Sequence, residues 1–126
     1  MILVDTPIWI DHLRRPVPAL AGLLTNGQVL IHPFVIGEIA VGSIKDRLAV
    51  VSGLQLLPQS RLAFDTEVLM FIERHQLHGT GIGYIDVHVL IAARLADGGR
   101  LWTRDRRLHA AAERLGFAWA PREGRG

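Results

Sequence analysis

Short apolar runs alternate along this chain with segments of helical period, and that alternation admits few architectures. Residues 1–5 read as a buried strand, and Thr6-Pro7 opens a helix over 8–13, with Pro7 suited to a first helical position. Pro16 and Pro18 break it. A second helix is expected over 19–25, stopped by Asn26-Gly27 before a strand over 29–31. Pro33 starts a third helix through Phe34, Val35, Glu38, Ile39 and Val41. Further helices are expected over 46–51, 63–75 and 84–96, the last ended by Asp97-Gly98-Gly99. Leu56-Leu57 reads as a strand, as does 101–103. Asp105 reads as the cap of a helix running to Leu115, and 117–119 as an edge strand. Short apolar strands between helices predict an α/β domain, a three-layer α/β/α unit on a central, mainly parallel sheet. Its site should lie at the carboxyl ends of the strands, where Asp5 and Asp105 fall.

A length of 126 residues suits one domain, expected over 1–120, with a flexible tail over 121–126. Hydrophobic residues at 49% against 21% charged exclude a disordered chain. Without cysteine there is neither a disulfide framework nor a thiolate zinc site. An acid at position 5 and the lack of an apolar run near the roughly 18 residues that span a bilayer argue against a leader or membrane anchor. A cytoplasmic location is the expectation. Of the 14 basic residues all but Lys45 are arginine, whose planar fork suits phosphate and permits a nucleic-acid partner. Arg104, Arg106 and Arg107 cluster most tightly, beside Asp105.

Two acids stand where apolar residues are expected. Glu38 sits within Phe34-Val35-Ile36-Gly37-Glu38-Ile39-Ala40-Val41, and Asp86 within Ile82-Gly83-Tyr84-Ile85-Asp86-Val87-His88-Val89-Leu90-Ile91. Burying an unpaired carboxylate is costly, so a partner or a metal must compensate. The competing readings are a helix more exposed than its sequence suggests, or a private pair with an arginine such as Arg94. Asp5 and Asp105, each taken alone, read as helix N-caps. If all four acids converge, they do so with no lysine among them, and Mg²⁺ or Mn²⁺ supplies the missing positive charge through oxygen ligands. The chemistry implied is phosphodiester hydrolysis with a metal-activated water, by one metal ion or two.

Val4-Asp5-Thr6 followed by Trp9-Ile10-Asp11-His12, Glu38 in the third helix, Gly81-Ile82-Gly83-Tyr84-Ile85-Asp86-Val87-His88 and Leu101-Trp102-Thr103-Arg104-Asp105 together resemble the VapC-type toxins, which are PIN-domain endoribonucleases. The resemblance covers nearly the whole chain. It implies Asp5, Glu38 and Asp86 as the principal metal-site acids and Asp105 as a fourth, less strictly required one. It also implies Mg²⁺ or Mn²⁺ dependence, RNA cleavage, a homodimer, and inhibition by a cognate antitoxin in a heterotetramer or larger assembly. The chain departs from the pattern in two respects: Pro7 replaces a second hydroxyl residue, and Arg107 and Leu108 stand where some relatives carry a further acid.

Around these acids, Thr6 and Thr103 are candidates to orient a carboxylate or a metal-bound water. No histidine pair has zinc-site spacing, so His88 is read as a helix-surface residue and histidine is excluded from the metal site. Gly79-Thr80-Gly81-Ile82-Gly83 lacks phosphate-loop spacing and reads as a turn before the Asp86 helix. Trp9 is the candidate for partner contact. The leading function is a metal-dependent endoribonuclease acting on single-stranded or looped RNA, held by Arg104, Arg106 or Arg107. Two others compete: a catalytically silent PIN-like binding module, and a receiver-like phosphoacceptor domain. The latter wants a lysine at its site, whereas Lys45 lies between expected helices.

Overall fold

The computed structural model describes residues 1–122, so most of the tail expected over 121–126 lies outside the described residues. Three strands, β1 (Ile2–Val4), β2 (Val29–Leu30) and β3 (Arg100–Trp102), form a parallel sheet in the order β2-β1-β3. Ile2 and Leu3 pair with Val29 and Leu30 on one side, and Ile2, Leu3 and Val4 with Arg100, Leu101 and Trp102 on the other. Single parallel bridges, Ile31 with Gln59 and Leu101 with Ala118, extend the sheet at its two edges.

Seven helices accompany it among the described residues: α1 (Thr6–Arg14), α2 (Pro18–Thr25), α3 (Pro33–Val41), α4 (Arg47–Gln55), α5 (Asp65–Arg74), α6 (Tyr84–Leu95) and α7 (Arg106–Arg114). The expected α/β layering is therefore observed. Prolines open the first three, at positions where the missing N–H costs no helical hydrogen bond. Asp5 caps α1, and Asp105 caps α7 by accepting from the N–H groups of Arg107 and Leu108. His32 caps α3 in an unusual way, its Nδ1 accepting from the Phe34 N–H at 2.9 Å. The core runs through Leu3, Ile8, Leu20, Ile31, Ile39, Leu90, Leu101 and Leu108, all shielded from solvent. Seven consecutive buried residues of α6, from Val87 to Ala93, account for the absence of a polar face in that stretch of sequence.

Several local expectations fail for identifiable reasons. Leu56-Leu57 is no strand: α4 runs on to Gln55, and Leu56 is its highly exposed C-cap. The pairing expected there falls two residues later, where Ile31 donates to the Pro58 carbonyl and accepts from the Ser60 N–H. The edge strand over 117–119 shrinks to the one bridge at Ala118. α5 starts at Asp65, two residues later than expected, because the Glu67 carboxylate turns back to accept from the Phe64 N–H. Trp9 is buried beside Ile8 on the inner face of α1 and so offers no partner contact. His88 is likewise buried within α6, where the aromatic rings of Phe34 and Tyr84 flank it.

Burial, reinforced by the electrostatic influence of nearby His88, pushes the His32 pKa from 6.5 down to about 4. The unfolded chain takes up this proton near the ordinary value and the native protein only near the depressed one. Stability is therefore lost as pH falls through that window. Between about pH 7 and pH 4, wild type should lose up to about 3 kcal/mol more unfolding free energy than His32→Asn, which preserves an N-cap acceptor. Urea titrations across this range check it, and parallel acid limbs for the two proteins would contradict it.

Candidate functional site

A cleft at the carboxyl ends of β1 and β3 is lined by Asp5, Thr6, Pro7, Ile10, Asp11, Glu38, Asp86 and Asp105. The four acids singled out in the sequence thus share one opening. Asp5 follows β1 directly and is anchored through its own N–H, which donates to the Trp102 carbonyl at 2.9 Å. Asp105 stands just past β3 at the start of α7, while α3 and α6 present Glu38 and Asp86.

The acids differ in surroundings. Asp5 is buried, Asp86 half-buried, and Glu38 and Asp105 are exposed. For Glu38 the expectation of a buried charge is wrong: Val35, Ile36 and Ile39 turn inward, and the carboxylate faces the open cleft. Arg94 serves neither acid in the way weighed above; its guanidinium lies 5.9 Å from the centre of the Phe71 ring.

Two threonines organise the carboxylates. Thr6 N–H donates to Asp5 Oδ1 at 2.9 Å and its hydroxyl to Glu38 Oε1 at 2.7 Å. Thr103 Oγ1 donates to Asp5 Oδ2 at 2.7 Å and accepts from the Asp105 N–H at 3.1 Å. A continuous hydrogen-bonded chain therefore runs from Glu38 through Thr6, Asp5 and Thr103 to the backbone of Asp105.

Among the described residues, no basic side chain lines this cleft. Burial raises the Asp86 pKa first, and the charges of Asp5, Asp105 and, more weakly, Glu38 raise it further; a hydrogen bond from the Gly83 backbone pulls the other way. Among the described residues, no three carboxylates or imidazoles stand close enough to form a ready-made ligand set. The acids surround the cleft without closing on a common point. Oxygen donors alone, in excess of the nearby positive charge, fit a hard divalent cation such as Mg²⁺ or Mn²⁺.

Asp11 is the cleft residue that the sequence reading passed over. It lies four positions after Pro7 and one after Ile10, so helical period alone places all three on one face of α1. Arg104 forms an ion pair with it at the rim. Arg106 and Arg107 are exposed, and the Arg107 side chain packs against Gly81, where an added Cβ would approach its guanidinium to 2.6 Å.

Parallel strands ending in this acid-lined cleft define the class, and comparison with known proteins agrees: the PIN domain family profile matches residues 2–114, so the chain belongs to the PIN domain family. Within it the chain is of the VapC type, being 45% identical over 120 residues to Ribonuclease VapC32 of two Mycobacterium tuberculosis strains, across 95% of this chain and 97% of that protein. Among solved structures, PAE2754 from Pyrobaculum aerophilum superposes with a TM-score of 0.63 at 17% identity, covering 94% of this chain and 87% of that one. FitAB bound to an IR36 DNA fragment gives a TM-score of 0.57 at 19% identity, covering 90% and 91%. These two likenesses establish the fold.

Because the native Asp86 carboxyl holds its proton more tightly than an ordinary one, its ionised form costs stability at neutral pH when no cation is bound. In chelator, Asp86→Asn should therefore melt about 2 °C above wild type. Scanning calorimetry checks this, and a lower melting temperature for the variant would refute the assigned electrostatics.

Proposed function

We propose that this protein is a metal-dependent endoribonuclease, the toxin of a toxin-antitoxin pair, and that Asp5, Glu38, Asp86 and Asp105 hold Mg²⁺ or Mn²⁺ in the cleft. The observation that carries the reading is that these four acids line one opening that, among the described residues, has no basic side chain in its lining. The 45% identity to a protein named a ribonuclease supports the chemistry.

A divalent ion bound there would polarise a phosphodiester, lower the pKa of bound water and stabilise the leaving oxygen. The protein's own contribution is placement. Thr103 and the Thr6 N–H fix the Asp5 carboxylate at the end of β1, leaving one lone pair on each oxygen free for a ligand. Thr6 holds Glu38 by one oxygen and leaves the other facing the cleft. The Gly83 backbone orients Asp86 at the start of α6. These hydrogen bonds support an orienting role for Thr6 and Thr103 toward the carboxylates.

Single-stranded RNA suits an open cleft into which its backbone can be laid. Arg106 and Arg107, exposed near Asp105, are the side chains proposed to hold its phosphates, with Arg104 at the rim. The proposed partners follow the VapC type: a second copy of the chain and a cognate antitoxin, in a heterotetramer or larger complex, within the cytoplasm. An acidic opening would attract a basic side chain from such an inhibitor. No helix among the described residues is long and apolar enough to cross a membrane.

Cleavage of a labelled single-stranded RNA should require Mn²⁺ or Mg²⁺, stop with chelator, and fall below detection in Asp5→Asn and Asp86→Asn while circular dichroism stays native. Full cleavage in chelator, or by either variant, would remove the metal centre from the mechanism. Mn²⁺ at 100 times its dissociation constant should stabilise wild type by about 2.7 kcal/mol and Asp86→Asn by much less. Equal stabilisation of both proteins would locate the ion elsewhere.

A further inference from the structure

Four buried side-chain polar atoms have no hydrogen-bond partner among the described residues, and three of them belong to elements that meet: His32 Nε2, Ser60 Oγ and His88 Nδ1. The His32 and His88 rings lie 6.4 Å apart, centre to centre. Ile31 pairs in parallel with Gln59, and its carbonyl accepts from the Ser60 N–H at 2.7 Å, so the Ser60 backbone is held against the residue that precedes His32. Each of the three residues is at least nine-tenths buried. Orphaned groups of this kind are rare in native interiors and call for an explanation.

Their chemistry is complementary. His32 Nδ1 accepts from the Phe34 N–H, which leaves the ring proton on Nε2 as a donor with no acceptor. His88 with its proton on Nε2 offers Nδ1 as an acceptor, and the Ser60 hydroxyl both donates and accepts. A ring nitrogen lies only about 1.1 Å from the ring centre, so at 6.4 Å separation the histidine nitrogens come no nearer than about 4 Å. That rules out a direct hydrogen bond between the rings and leaves a gap that a bridging molecule can span. Buried waters typically make about three hydrogen bonds, the number offered here.

We infer that His32, Ser60 and His88 enclose a buried water-binding site that locks the start of α3 to α6, making these three residues positioning residues for the cleft. His32 is the N-cap of the helix that carries Glu38, and His88 lies one half-turn beyond Asp86. A shared water fixes the separation of the two helices behind their carboxylates. The part of this inference that concerns metal binding rests on the function proposed above; the water site itself does not.

A crystal structure of the full chain should contain a density peak within hydrogen-bond reach of all three atoms; direct contact between the side chains, or an empty gap, overturns the site. Ser60→Ala and His88→Phe should each lower Tm by about 3 to 6 °C, and the double variant by clearly less than the sum, because the second change removes a partner of a water already lost. Strict additivity overturns it. Should His88→Phe fail to fold, Ser60→Ala is compared with Ser60→Thr, which keeps the hydroxyl and should restore Tm; no recovery counts against the site. Mn²⁺ titrated calorimetrically should bind Ser60→Ala about tenfold more weakly than wild type, with recovery in Ser60→Thr. Val89→Ala, a purely apolar loss on α6, should leave Mn²⁺ affinity unchanged, and an equal weakening there overturns the positioning role. If wild type binds no Mn²⁺, the metal reading and the positioning role fall together, while density and additivity still decide the water site.

Discussion

Mutual repulsion among the cleft carboxylates is the constraint around which the rest of the structure is arranged. The sheet opposes it. β1 is central and hydrogen-bonded on both sides, so Asp5 emerges from the most firmly held strand in the molecule. Backbone pairing with Trp102 and the Thr103 hydroxyl then hold its carboxylate in place. Each threonine bond trades an interaction with water for one inside the protein, so its net contribution is small, about 1 kcal/mol. Its value here is geometric, since it fixes which lone pairs remain free.

The remaining charge is handled unevenly. Asp105 is steadied by the first N–H groups of α7, and Asp11 by Arg104 at the rim. Asp86 has only the Gly83 backbone to set against burial and its acidic neighbours, and its carboxyl holds its proton more tightly than an ordinary aspartic acid does. A dication bound among these acids, as proposed, would offset the charge that the fold leaves uncompensated.

Much of this was legible in the chain, and the reasons are local. Period and punctuation located β1, β3 and most of the helices, since Pro7, Pro18, Pro33 and Asn26-Gly27 mark boundaries through backbone sterics alone. The acids were legible as anomalies against an apolar background. Part of that logic was mistaken: Asp86 is half-buried, but Glu38 is exposed, because a short helix with only Val35, Ile36 and Ile39 turned inward leaves room for one side chain to look outward. Trp9 and His88 were misread because surface or core placement depends on what packs opposite, which a single periodic stretch does not encode. Pairing at Gln59 was hidden for the same reason, as one bridge leaves no alternation to detect. Asp11 could have been found from its spacing to Pro7 on the same helix face.

Gly81 adopts a positive φ of 85° and lies flush against the Arg107 side chain. The turn leading into α6 and the first turn of α7 therefore meet through the far end of a flexible, exposed arginine. A methyl group added here would push that guanidinium aside at little cost, but it would also place a side chain in the left-handed backbone region that glycine enters most freely. Tolerance to mutation at this turn is thus set by the handedness of the main chain rather than by crowding.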